Sequence, residues 1–478
     1  MAASVVWFRK DLRVEDNPAL SAAAKRGVPI IPAFIWSPEE EGEWSPGAAS
    51  RWWLHHSLER LTGLLAGLGL SLVLRRAANS AEELLTLTKE CGADAVFWNR
   101  RYEPCAIARD TEVKAKLRAS GIEAESFNGT LLFEPWEIQT KTGGPYKVYT
   151  PFLKSCLAAG VPPREEPLVQ VVAPSRTPNG VPLVSFELEP KIKWAEGMRA
   201  AWTPGREGAL AELDRFLDEV GADYDSLRNR PDCVGTSRLS PHLHFGEIAV
   251  RSVWQRLKEK EREQPSDGLR IFGQELIWRE FAYHLLFHFP HTTHAPLREE
   301  FNRFPWAEDS AQLEAWQRGM TGYPLVDAGM RELWTTGWMH NRVRMVVASF
   351  LIKHLLIPWQ RGAAWFWDTL VDADLASNTM GWQWTAGSGA DAAPYFRVFN
   401  PISQGEKFDP EGGYVRRWCP ELAKLPNRWI HQPWEAPAEQ LAQAGVVLGR
   451  SYPRPIVEHA EARGRALEAY YEMRESKG

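Results

Sequence analysis

Cysteine is scarce in this 478-residue chain. Five are scattered over it, Cys91, Cys105, Cys156, Cys233 and Cys419, an odd number without CxxC spacing, which argues against a disulfide framework and a structural zinc site. Long apolar runs are missing too: none approaches 18 residues, and the opening MAASVVWFRKDLR lacks the basic-then-apolar order of a secretion signal. The expectation is a cytoplasmic protein with no membrane partner. Neither GxGxxG nor GxxxxGK(S/T) follows an apolar run, so a Rossmann or P-loop nucleotide held in the usual manner is excluded. GxSxG, HExxH and the HxE with PCxxC pairing are absent as well, which removes serine hydrolases, zincins and zinc deaminases. Net charge is small, 56 basic against 61 acidic residues, but a near-neutral sum can hide one basic face and does not exclude nucleic acid.

What the chain has in excess is tryptophan, 23 residues, 13 of them between Trp278 and Trp434. Any single one is best read as a core aromatic; the clustering asks for a further reason. With 44% hydrophobic and 24% charged residues the composition is globular, and the length suits two or three domains.

Residues 1–130 alternate short apolar runs, Ser4 to Phe8, Pro29 to Trp36, Leu70 to Leu74, Asp94 to Trp98 and Ile122 to Phe127, with helical stretches near 48–68, 81–91 and 105–120. Such alternation predicts βαβ units and a five-stranded, parallel, doubly wound sheet. Residues 131–203 are rich in Pro and Gly and read as a connector. From 204 to 478 helical period dominates, so the fold class is α/β followed by all-α.

Three stretches suggest chemistry. In GWMHNRVRM a helix would put Asn341 and Met345 on one face and Arg342 and Arg344 elsewhere, able to touch a base and phosphates, or equally a solvated basic turn. Asp372 and Asp374, two apart, suit hydrogen bonds to a heterocycle or sugar, and also suit a helix N-terminus. GTSRLSPHLHFGE offers hydroxyls and amides for a phosphate, or a plain N-cap; its His242 and His244 read as structural because no third ligand follows.

Taken with VVWFRKDLRVEDNPAL, ELIWREF, TGYPLVDAGMRELWTTGWMHNRVRM and WQWTAGSGADAAPYFRVFNPISQGEKFDPEGGYVRRW, these stretches resemble the photolyase/cryptochrome family from about Val5 to the C-terminus. The resemblance implies an antenna domain (1–130), a connector (131–203) and a helical domain (204–478) that holds FAD beside a cavity for a lesion flipped out of ultraviolet-damaged DNA. It implies that reduced, light-excited flavin gives an electron that splits a cyclobutane pyrimidine dimer. By similarity, Tyr224, Thr236, Ser237, Arg238, Leu239, Ser240 and Gln274 hold FAD with Arg344, Asp372, Asp374 and Asn378, the last facing flavin N5. Glu275, Asn341 and Asn378 are the implied catalytic positions, with a protonated Glu275 bonded to the pyrimidine carbonyls. Trp278 and Trp384 would grip the flipped bases, and Arg342, Arg397 and Lys407 would meet phosphates. Trp382, Trp359 and Trp306 match the family's electron-transfer chain, with Trp338 and Trp365 leaving room for a branch.

Relatives that repair the six-four photoproduct carry histidines where Asn341 and Met345 stand, so the pair points to the cyclobutane dimer. EEEGEWSPGAASRWW, NGTLLFEPWEI and VRRWCPELAKLP resemble plant cryptochromes and their bacterial photolyase relatives, which makes a blue-light photoreceptor the rival. Against it stand Asn378 where those receptors carry an acid, Trp278 in the lesion cavity, and an expected absence of a signalling tail after Gly478. Tyr102 to Ala106 lack the acid that folate-binding relatives place there, so either a folate is held differently, as in the plant-like relatives, or another chromophore or none is present; methenyltetrahydrofolate is the first expectation, and a monomer is expected.

Overall fold

The computed structural model describes residues 2–163, 170–392 and 396–475. Parts of the connector (164–169) and of the ADAAPYFR run (393–395) therefore lie outside the described residues. Strands β1 (Ala3–Phe8), β2 (Ile30–Trp36), β3 (Val73–Arg76), β4 (Ala93–Asn99) and β5 (Glu123–Phe127) alternate with helices α1 (Pro18–Lys25), α2 (Ala48–Gly67), α3 (Ser80–Cys91) and α4 (Pro104–Ala119). All pairings are parallel, in the order β3-β2-β1-β4-β5.

Period-two alternation divides the buried strand residues between two faces. Val6, Phe8, Phe34 and Phe97 pack on α1 and α2, whereas Val5, Trp7, Ile35 and Trp98 pack on α3 and α4. Local signals start the helices: Asn17 and Asn79 cap α1 and α3, and Pro18 sits at the first position of α1. The third strand lies three residues later than the apolar run suggests. Leu70 is taken by a bond to the end of α2 (Leu65 O), and pairing with β2 begins at Val73.

Residues 131–203 include α5 (Tyr149–Ala159) and α6 (Glu196–Ala201). Phe186, Leu188, Met198 and Trp202 from this stretch enter the α2 side of the sheet core beside Val371. The remainder is helical: α7 (Arg206–Arg215), α8 (Tyr224–Leu227), α9 (Ser240–His244), α10 (Val250–Glu263), α11 (Asp267–His288), α12 (Ser310–Gln317), α13 (Pro324–Thr336), α14 (Asn341–Ser349), α15 (Trp359–Thr369), α16 (Leu375–Ala386), α17 (Pro401–Phe408), α18 (Gly413–Trp418), α19 (Ala438–Ala444) and α20 (His459–Glu475). Its cores join α13 to α16 around Trp316, Trp359 and Trp382, and α7, α10 and α11 around Phe216, Phe272 and Phe281.

The two halves meet at Trp53 of α2. Its ring lies against Trp202, His242 and Phe245, and its Nε1 donates to Glu247 at 3.0 Å. A buried tryptophan removes roughly 200 Å² from water, about 5 kcal/mol as an upper estimate, so this contact is one reason the halves form a single body. Among the described residues no helix is long and apolar enough to cross a membrane.

Candidate active site

Tyr224 is buried edge-on against Phe216 and Phe272, and its neighbouring loop runs from Gly235 into α9. A Cβ at Gly235 would fall 2.7 Å from the Leu227 carbonyl oxygen, so the loop's close approach requires glycine. Thr236 O accepts from Arg215 at 2.8 Å, and Ser240 opens α9 exposed. Leu239 is 1% exposed and belongs to the core. Arg238 adopts φ 54°, a strain of about 1–3 kcal/mol. Its guanidinium lies 4.0 Å over Trp202 and donates to Ala201 O at 3.0 Å. The structure thus gathers the loop's hydroxyls but aims the Arg238 charge at the connector.

A second cluster surrounds the start of α16. Arg344 pairs with Asp372 at 2.8 Å, and Asp374 caps α16 by accepting from Ser377 N at 2.8 Å. Burial works to raise the Asp374 carboxyl, but His244, Arg279 and the Tyr283 hydroxyl outweigh it and hold the group ionised. Burial lowers the His244 imidazole from its ordinary value, with Asp374 pulling the other way. Asn378, one turn on, donates through Nδ2 to Ala363 O at 3.1 Å, which leaves Oδ1 and its second N–H to offer. Loop hydroxyls, ribose-suited carboxylates, an arginine and an amide form a donor set that fits FAD.

Glu275 and Trp278 lie three apart on α11, one face of a helix. Glu275 is paired with Arg228 at 2.6 Å. Burial raises its carboxyl, as the sequence implies, but Arg228 pulls the other way, so the aromatic surroundings do not act alone. Trp278 has one ring face covered by Tyr149 of α5, centroids 3.5 Å apart. Gln274 accepts the Tyr149 hydroxyl on its backbone oxygen at 2.7 Å. Trp384 is half-buried on α16.

GWMHNRVRM is helical only from Asn341, where His340 caps α14 by accepting from Arg342 N. Gly337, at φ 68°, closes α13 instead. Asn341 is exposed and Met345 half-buried. Arg342 donates to Asn229 Oδ1 at 2.7 Å and touches Met345 Sδ at 3.5 Å. Arg342 and Lys407 both lie over the Phe408 ring, at 4.5 and 5.3 Å, and Arg397 lies over Phe399 at 4.8 Å. Burial lowers the Arg342 guanidinium and its neighbours Arg228 and Arg397 lower it further, so these cations repel one another. Such a cluster is relieved by an anion.

Trp382 packs its ring on Gly362, where a Cβ would meet it at 2.1 Å, and lies 5.0 Å from Phe366 and 6.2 Å from Trp316. Trp359 opens α15, 2% exposed, and Trp306 flanks the same core, 4.4 Å from Phe304. Trp365 stacks on Trp334 at 5.9 Å, and Trp338 lies 6.2 Å from Trp202. His242 is bonded to Glu247 beneath Trp53, and His244 Nδ1 faces Asp374 at 3.6 Å.

A separate cavity opens at the carboxyl ends of β1, β2 and β4, where strand order reverses, the usual ligand crevice of such a sheet. It is lined by Trp7, Trp36, Trp44, Arg9, Lys10, Arg101 and Arg109, with Trp367, His244 and Ala373 from the helical half. Its cations are matched: Arg9 by Asp110, Lys10 by Glu103, and Arg101 and Arg109 by Glu41. Burial works to raise Glu41, yet Arg101 and Arg109 bring it down to about 2.

Sequence reasoning missed Arg228, Tyr149, Asn229 and Phe408. Arg228 follows Tyr224 by four residues, a helical spacing that could have drawn attention to it. Tyr149 gave no signal, because it lies in a stretch read as connector.

Comparison with known proteins bears on this arrangement. Residues 4–169 match the family model described as DNA photolyase, and residues 272–472 match the FAD binding domain of DNA photolyase. The chain is 52% identical to deoxyribodipyrimidine photo-lyase of Agrobacterium fabrum over 98% of both chains. It is 43% identical to cryptochrome-1 of Arabidopsis thaliana over 98% of this chain and 70% of that one. A crystal structure of a bacterial class III photolyase from Agrobacterium tumefaciens superposes with a TM-score of 0.96 at 50% identity, covering 100% of this chain and 98% of the other.

Proposed function

Because this chain belongs to the DNA photolyase family, we propose that it is a flavoprotein that splits cyclobutane pyrimidine dimers in ultraviolet-damaged DNA under blue light. One observation carries the reading: Glu275 and Trp278 share a face of α11 beside the arginine cluster Arg228, Arg342 and Arg397. An aromatic wall, a carboxyl raised by burial and a cluster of mutually repelling cations are what a flipped, phosphate-bearing base needs.

Tyr224, the 236–240 loop, Gln274, Arg344, Asp372, Asp374 and Asn378 would hold FAD, which when reduced and excited would supply the electron. The remaining work belongs to the side chains. Glu275, its carboxyl raised by burial against the pull of Arg228, donates to a pyrimidine carbonyl in its protonated form and stabilises the charge that develops there. Trp278 and Trp384 hold the flipped bases by stacking, worth about 1–3 kcal/mol per base. Asn341 and Met345 border the lesion without a proton donor of histidine type, which suits the cyclobutane dimer. Arg342, Arg397 and Lys407 neutralise phosphates. Trp382, Trp359 and Trp306 pass reducing equivalents inward from the surface. The cavity at the sheet's carboxyl edge, aromatic and charge-matched, suits an antenna chromophore, for which methenyltetrahydrofolate is the proposal. The protein acts as a monomer.

The test is photoreduced protein with ultraviolet-damaged oligothymidylate, followed by chromatography of dimer loss in blue light and in the dark. Light-dependent restoration of thymines is expected. No restoration by flavin-loaded, reducible protein would overturn the repair reading in favour of a photoreceptor.

A further inference from the structure

Helix α2 carries a group of ligating side chains that neither the flavin site nor the sheet-edge cavity uses. His55, His56 and Glu59 each offer one atom, and these atoms lie within 4.8 Å of one another. His55 Nε2 stands 3.6 Å from Glu59 Oε1, and His56 Nδ1 stands 3.0 Å from Glu59 Oε2. Donors about 2.0 to 2.2 Å from a tetrahedral ion are roughly 3.3 to 3.6 Å apart, and the 3.6 and 3.0 Å histidine–Glu59 separations lie in or just below that range. An ordinary imidazolium–carboxylate pair needs one histidine; here both converge on one carboxylate, with ring planes 86° apart and centroids 5.2 Å apart.

The surroundings support coordination as well. His56 Nε2 faces Glu189 Oε1 of the connector at 3.6 Å, too long for a hydrogen bond, and Glu189 is held by Arg199 at 2.5 Å. A carboxylate behind the far nitrogen is what orients a metal-bound imidazole and raises its basicity. That nitrogen and His55 Nδ1 are both buried without a hydrogen-bond partner. Trp52 packs edge-on to the His56 ring at 5.0 Å and limits its swing.

The geometry points to a divalent transition-metal site on α2, of the zinc class, with His55 Nε2, His56 Nδ1 and Glu59 as ligands and Glu189 behind His56. Two imidazoles and a carboxylate select zinc, cobalt or nickel over magnesium and calcium, and the fourth position stays open to water. Bound there, the ion ties α2 of the sheet half to the connector through Glu189.

The experiment is calorimetric titration of chelator-treated, flavin-loaded protein with zinc chloride, with magnesium and calcium chlorides as controls. One zinc per chain is expected, no uptake of the other two, and a thermal midpoint that rises once zinc exceeds its dissociation constant. The His55→Gln/His56→Gln double variant loses the uptake while keeping flavin absorbance and repair rate. Glu189→Gln binds about 10- to 100-fold more weakly. No zinc uptake by the native chain, or an unchanged affinity in the double variant, overturns the site. Unchanged affinity in Glu189→Gln overturns the connector's part in it.

Discussion

The ring of Tyr149 lies flat on that of Trp278, centroids 3.5 Å apart and planes 8° from parallel. One face of the lesion-wall tryptophan is thus already occupied from the connector side, and its plane is set before any base arrives. Tyr149→Ala should weaken binding of a dimer-containing oligonucleotide by about 3- to 10-fold, the worth of one aromatic pair. Tyr149→Phe should bind as the native chain does. Equilibrium binding with both variants checks this, and an unchanged Tyr149→Ala removes the buttress.

Glu275 is raised by burial and restrained by Arg228. Glu275→Ala should keep FAD yet lower the quantum yield of repair. Arg228→Gln removes the restraining cation, so the carboxyl rises further and the alkaline fall in repair yield moves to higher pH. A pH profile of single-turnover repair distinguishes this from a purely structural loss.

Asn378 donates Nδ2 to Ala363 and offers Oδ1. Asn378→Asp cannot make that donation and places a carboxylate at the flavin. The photoreduction spectrum of the variant should therefore differ from that of the native protein; identical spectra would place Asn378 away from the flavin edge.

Glu332 of α13 is buried; burial raises its carboxyl from 4.5 to about 7, against bonds from Tyr414 and His340 N. The native state therefore binds a proton that the unfolded chain has lost between these values. Stability contributed by the group is full below about pH 4.5 and is lost as pH rises toward 7, on the order of 3 kcal/mol at most. Glu332→Gln keeps an oxygen for both donors and carries no charge. It should be more stable than the native chain at pH 8 and nearly equal at pH 5 in urea denaturation.

Among the described residues, Arg342 lies with Arg228 and Arg397 and has no carboxylate in salt-bridge contact. Arg342→Gln should reduce the salt dependence of binding to damaged and undamaged duplexes alike, by about one counterion. A loss confined to damaged DNA would assign Arg342 to the lesion instead.

Strands β1, β2 and β4 could be read within a residue because they are continuous apolar runs buried on both faces. β3 could not: Arg75 and Arg76 lie on an edge strand, and only pairing with Ile35 and Trp36 marks them as strand. Motif resemblance proposes the flavin and lesion positions, but not their partners. Glu275 meets Arg228 and Trp278 meets Tyr149 across long stretches of chain, and helical period says nothing of such meetings. Nor could it show that Arg238 turns toward Trp202, a consequence of its positive φ.

Ala373 lines the sheet-edge cavity, while Asp372 and Asp374 on either side of it face Arg344 and Tyr283. A single stretch of backbone is therefore a party wall between two rooms. The sheet half cannot close its own room, since Trp367, His244 and Ala373 are supplied from the other half. A chimaera spliced within the connector from two parents would inherit one side of that room from each, so what the room can hold would follow the match between the parents rather than the identity of the sheet half.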